Sequence, residues 1–186
     1  MSRFTVTELM PDGPRLVVRH PLADARGSFA RLFCDQELAG AGWRWPVRQA
    51  NHSVTRQAGS VRGMHFQRPP HAEGKLVMCL RGAVCDVAVD VRAGSATLLR
   101  WAMHELSADN GAAMLIPPGF AHGFQTLGDD TELLYFHSAP HVPAAEDGLH
   151  PLDPRLAIAW PRPVTVMSDR DAARPHLAVG FEGVRP

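Results

Sequence analysis

The stretch Arg62-Gly63-Met64-His65-Phe66-Gln67 leads through Pro69-Pro70 into KLVMCLRGAVCDVAVDV, residues Lys75 to Val91. In this run Asp86, Ala88 and Asp90 alternate with Val87, Val89 and Val91, the period of a β-strand with one dry face and one polar face. The two acids face solvent or, in a closed barrel, a wet cavity. Arg81-Gly82 interrupts the run, and a two-residue turn there would set Lys75 opposite Ala88, with Lys75 and Asp86 on one face. His65 stands between glycine-bearing and glutamine-bearing ends of a segment without helical periodicity, so it reads as a titratable group held on a strand. It is the candidate reactive centre.

Outward from that stretch, 16 Gly and 16 Pro punctuate short runs rich in Val, Leu and Phe, the texture of a many-stranded antiparallel protein. Strands are expected at 15–19, 29–34, 47–54, 61–67, 75–80, 83–91, 97–106, 112–116, 123–127 and 132–138. A short helix is expected at 35–41, with loops and brief turns after Pro143. About ten short strands in one domain spanning residues 1–186 point to a sandwich or barrel, jelly roll first.

Composition narrows the function. The chain has 186 residues, is 45% hydrophobic and 20% charged, and has a formal net charge of zero. That argues against disorder and against a polyanion-binding surface, so no nucleic-acid partner is expected. Cys34, Cys79 and Cys85 are odd in number and lack CxxC spacing, as suits reduced thiols in a cytoplasm. Met1 to Leu9 carry no apolar signal core and no run approaches the roughly 18 apolar residues of a membrane span. A soluble, cytoplasmic protein is expected.

Gly111, five residues, Pro117-Pro118-Gly119, Phe120-Ala121 and His122 are spaced like the second motif of the cupin superfamily, with Thr126 where that motif has Asn. The first cupin motif would supply a His-x-His pair and a glutamate. Here His65-Phe66-Gln67 offers one histidine. His65, Glu73 and His122 could be assembled into a metal set, but Gln67 is a poor ligand and the spacing is off. No metal is expected.

The ordered set Asp24-x-Arg26-Gly27-x-Phe29, Gln49-x-Asn51-x-Ser53, Arg62 to Gln67, Gly74-Lys75-Leu76-Val77, Asp86-Val87-x-Val89-Asp90-x-Arg92, Ile116-Pro117-x-Gly119-Phe120-Ala121-His122-Gly123-Phe124, Tyr135, Asp153-Pro154, Trp160-Pro161 and Ser168-x-x-Asp171 resembles the dTDP-4-dehydrorhamnose 3,5-epimerase family. The resemblance implies a cupin-type jelly-roll β-barrel with short peripheral helices, a homodimer with exchanged strands, and an isomerase that acts on a nucleotide-diphosphate 4-keto-6-deoxy sugar without cofactor. It implies His65 as general base, Asp171 as its hydrogen-bonded partner, Tyr135 as acid and Lys75 near the sugar's carbonyl oxygen. Arg26, Phe29, Gln49, Asn51, Arg62, His122 and His141 fall to substrate binding, with Arg26 reaching in from a second subunit. These residue types suit the chemistry. Histidine, with an ordinary pKa of about 6.5, accepts a proton near neutrality, and tyrosine, at about 10, keeps one until a carbanion needs it. A preorganised cation stabilises an enolate.

Each residue also has a plainer reading. Ser168 and Asp171 fit a helix capping box, Tyr135 sits in an apolar run, Lys75 would pair with Asp86 at a rim, and His122 would be a core histidine. On a strictly pleated strand Arg62 and His65 point to opposite faces, so a bulge at Gly63 is needed if they share a cavity. The chain departs from the family at Arg31, Glu73, Phe136 and Pro140-His141, all around the nucleotide and sugar pocket. Two other readings remain: a metal-dependent cupin oxidoreductase, and a cupin that binds a sugar nucleotide without turning it over.

Overall fold

A computed structural model describes residues 2–185. The strands are β1 (Phe4–Glu8), β2 (Arg15–Arg19), β3 (Leu22–Asp24), β4 (Gly27–Phe29), β5 (Gln49–Thr55), β6 (Val61–Gln67), β7 (Lys75–Arg81), β8 (Ala83–Asp90), β9 (Trp101–Ser107), β10 (Ala112–Ile116), β11 (Phe120–Thr126), β12 (Thr131–His137) and β13 (Glu146–Gly148). Two short helices accompany them, α1 (Asp35–Ala39) and α2 (Asp169–Ala172). The strands form a sheet of six in the order β1-β2-β10-β7-β12-β5 and a sheet of five in the order β13-β6-β11-β8-β9. Their ladders are antiparallel and the two sheets close on each other as a cupin-like jelly roll.

Alternation decides what lies between the sheets. Val77, Cys79, Met114 and Leu133 point inward from the first sheet and Val84, Ala88, Leu106 and Phe124 from the second. The intervening residues are buried too. Leu76, Met78 and Leu115 lie under Leu38 of α1 and Trp43, while Met64, Val87 and Val89 lie under the C-terminal segment at Leu149 and Leu156.

Burial on both faces explains why the expected hairpin does not form. The strands β7 and β8 are both central, β7 between β10 and β12 and β8 between β11 and β9. Arg81-Gly82 therefore carries the chain from one sheet to the other, with Gly82 at φ +73. Lys75 faces Ile116 and His137 rather than Ala88, and neither acid of β8 faces solvent: both side chains are fully buried. Asp90 accepts from Arg92, Ser95 and Thr97, and despite burial these donors pull its carboxyl down to about 2.

Other boundaries shift for local reasons. The strand expected at 29–34 ends at Phe29 in the β3–β4 arm, because Leu32, Phe33 and Cys34 pack singly over the six-stranded sheet. The strand expected from Thr97 begins at Trp101, since Ser95 and Thr97 are turned onto Asp90. The ladder also takes in β1, β13 and the start of β11 at Phe120, none of which were anticipated. Cys79 and Cys85 are buried and unbridged, and burial pushes both thiols up to about 11. Among the described residues no helix is long and apolar enough to cross a membrane.

Candidate active site

The two sheets leave a cavity of about 260 Å³ at one end, lined by Asn51, Ser53, Arg62, His65, Lys75, His122, Phe124, Tyr135 and His137. The alternation of the strands puts them there. On β12, Tyr135 and His137 share the inward side with Leu133, and the register pairs them with Asn51 and Gln49 of β5 on one flank and Val77 and Lys75 of β7 on the other. Opposite them, His65 of β6 is paired with His122 of β11.

The pleat alone would separate Arg62 from His65, and a bulge reunites them. The β6–β11 register shifts between His122 and Phe124, so that two residues of β6 oppose the single Gly123. Gly63 takes φ +131 there, and a Cβ on it would lie 2.5 Å from the Gly123 Cα. Glycine at both positions is what lets the strands meet. The amide of Gly63 donates to Asp171 Oδ2 at 3.3 Å.

Asp171 enters from far along the chain. Ser168 caps α2, accepting from the Asp171 amide at 3.1 Å, so the expected cap is real. It is half of a capping box, because the Asp171 side chain turns instead to His65, whose Nε2 stands 2.6 Å from Oδ1. Burial works to raise the Asp171 carboxyl, but the hydrogen bond and charge of His65 and the Gly63 amide outweigh it and hold it below its ordinary value. Across the cavity Tyr135 is pushed well above the usual phenol range, first by burial and then by the charge of Asp86, with a hydrogen bond to Ser53 in opposition.

Lys75 is not paired with Asp86. Its Nζ lies 3.1 Å from Glu73 Oε1 and donates to the His65 carbonyl at 3.3 Å. Asp86 is taken by His122 Nε2 at 2.8 Å. Gln67 clasps the following loop, donating to the carbonyls of His71 and Pro140 and accepting from the Val142 amide. No three His, Cys, Asp or Glu side chains converge as metal ligands among the described residues.

Of the residues expected at the site, His65, Asp171, Tyr135, Lys75, Asn51, Arg62 and His122 are brought together. Gln49 and His141 lie beside them, the His141 amide donating to Gln49 Oε1 and its ring bonded to Glu146 at 2.8 Å. Arg26 and Phe29 are not brought in: they sit on the exposed β3–β4 arm, where Arg26 pairs with Asp24. His137 was missed and Ser53, though part of the family pattern, was given no site role, although each is two residues from a recognised position on the same strand, which is the signal that finds them. A second concavity of about 520 Å³ adjoins the first, sharing Arg62 and His65 and adding Arg56, Ser60, Ser168 and Arg170.

An imidazole backed by a carboxylate on one wall, a phenol that keeps its proton on the other and an ammonium group between them can remove a proton from one face of a carbon and return one to the opposite face. With the antiparallel barrel, this defines an epimerase of the cupin class, an isomerase. The sequence pattern of the dTDP-4-dehydrorhamnose 3,5-epimerases matches residues 10–179, and the chain belongs to that family. A dTDP-4-dehydrorhamnose 3,5-epimerase of Sinorhizobium fredii is 42% identical over 92% of this chain and 90% of its own. A dTDP-4-dehydrorhamnose 3-epimerase of Streptomyces niveus is 43% identical over 80% of this chain and 72% of its own. The crystal structure of the 3,5-epimerase of Bacillus anthracis with TDP and PPi bound superposes with a TM-score of 0.90 at 36% identity, covering 94% of this chain and 99% of that one.

Proposed function

We infer that the chain epimerises a dTDP-linked 4-dehydro-6-deoxy sugar, and that residues 1–186 act as one catalytic unit. The observation that carries this is the 2.6 Å His65–Asp171 pair on one wall facing Tyr135 on the other. His65 takes the proton from the carbon next to the keto group. The electrons move onto the carbonyl oxygen, where Lys75 stabilises the enolate. Tyr135 then protonates the carbon from the opposite face, and solvent restores both side chains. Atoms and electrons balance without oxidation or reduction. Asp171 holds the imidazole in orientation and stabilises it when it is charged.

Arg62 and Asn51 are suited to the nucleotide diphosphate and its neighbourhood, Arg62 through a guanidinium fork that matches phosphate oxygens. Gln49, His122 and His141 complete the lining. Arg26 and Phe29 reach a site only if the β3–β4 arm extends to another copy, so the reading includes a homodimer. Exposed Leu22 and Phe29 on that arm support it. Light scattering with and without residues 22–29 tests it, the shortened chain being expected as a monomer.

Relatives named as 3,5-epimerases and as 3-epimerases stand at nearly the same identity, so the number of carbons inverted is the open choice, and we take C3 and C5 both. Incubation with dTDP-4-dehydro-6-deoxyglucose in deuterated water, followed by NMR, decides it. Label at both carbons is expected, label at C3 alone gives the narrower enzyme, and none at either overturns the assignment.

A further inference from the structure

Three imidazole–carboxylate pairs surround this one cavity, and the third has no part in the chemistry above. His137 Nδ1 lies 3.0 Å from Glu73 Oε2, while the other oxygen of the same carboxylate takes Lys75 Nζ at 3.1 Å. Glu73 and Lys75 side chains are each only 8% exposed, so water does not erase their interaction as it does at a surface. The β7–β12 register sets His137 directly opposite Lys75, and its ring stacks on Tyr135 with centroids 5.9 Å apart and planes 26° from parallel. Nε2 has no hydrogen-bond partner among the described residues, and the side chain lines the cavity. A histidine fixed through one ring nitrogen presents the other in a defined direction.

Glu73 has a consequence for Lys75. Burial raises its carboxyl, but the His137 bond and the Lys75 charge prevail and keep it below the ordinary value. An ionised carboxylate beside Lys75 offsets part of the positive field on which an enolate would depend. That carboxylate can only accept, so Nδ1 donates to it and Nε2 is left to accept a hydrogen bond in the cavity.

We propose that His137 is a substrate-contacting residue, oriented by Glu73 so that Nε2 accepts a hydrogen bond from a hydroxyl of the sugar beside the oxygen that Lys75 faces. This rests on the epimerase reading. Two substitutions separate contact from scaffolding, because Asn places its amide where Nδ1 stands and Gln places its amide where Nε2 stands. His137→Asn is expected to lower kcat/KM for dTDP-4-dehydro-6-deoxyglucose at least about tenfold. Affinity for dTDP, which lacks the sugar, should stay within about twofold, and His137→Gln should recover most of the lost activity. Parental kcat/KM in the Asn variant, equal losses in both variants, or a matching loss of dTDP affinity would each overturn the proposal. An unsubstituted chain that exchanges no label at C3 or C5 overturns the epimerase reading and this one with it. If that chain does exchange label, those same variant outcomes overturn the role of His137 alone.

Discussion

His65–Asp171 and His122–Asp86 join the same two chemical groups, with the imidazoles on directly paired strands of one sheet, yet their surroundings differ. The His65 side chain is 35% exposed and its carboxylate comes from 106 residues away. His122 is 6% exposed, its carboxylate lies on the adjoining β8, and Asp86 Oδ2 has no hydrogen-bond partner among the described residues. The first imidazole is open to the cavity, as the base role inferred for it requires. The second is almost wholly buried at the cavity wall, and its Nε2 chiefly gives the buried Asp86 carboxyl a hydrogen-bond partner. On the inferred mechanism, access is what makes one imidazole a base and the other a buttress.

The largest effect that would break this contrast is at His65. His65→Asn is expected to slow deuterium incorporation at both carbons about a thousandfold with folding intact. His122→Leu should do the reverse, lowering the unfolding free energy by about 3 kcal/mol by leaving Asp86 unpaired and reducing turnover per folded molecule only about tenfold. Chemical denaturation and exchange rates measured on both variants decide it, and equal losses of exchange would erase the distinction. Tyr135→Phe sharpens the picture from the other wall. Net inversion should fall about a hundredfold while exchange catalysed by His65 falls less; equal mild losses would remove Tyr135 from the acid's role.

The smallest expected effect concerns Asp90, a third acid, on the same face of β8 as Asp86 but away from the chemistry. Its folded-state pKa lies below the ordinary one, so its contribution is complete above about pH 4 and is lost as the pH falls toward the folded value. Asp90→Asn should therefore cost about 2 kcal/mol at pH 7 and almost nothing near pH 2. Denaturation midpoints across that range measure this, and turnover per folded molecule should match the parent.

Much of the site was legible. The family resemblance, not local pattern, joins His65, Lys75, His122, Tyr135 and Asp171, and alternation along β5 and β12 implies Ser53 and His137 from Asn51 and Tyr135. The partner of Lys75 was misassigned because the hairpin pairing was wrong: Asp86 belongs to the other sheet, and the acid beside Lys75 is Glu73. Arg62 was ambiguous for a different reason. A pleat gives each residue a side, but an inserted residue reverses every side beyond it, and Gly63 marks where that occurs without saying that it does.

From the sequence alone come the strand-rich character of the chain, which residues share a side of each regular strand and the residue types available for proton transfer, since these depend on local periodicity and side-chain chemistry. The tertiary structure decided that Lys75–Arg81 and Ala83–Asp90 lie in different sheets, that the Gly63 bulge turns Arg62 and His65 into one cavity, and that Asp171 meets His65. Those outcomes depend on which strands bury each other and complete each other's backbone hydrogen bonds, a competition over the whole chain that no local pattern encodes.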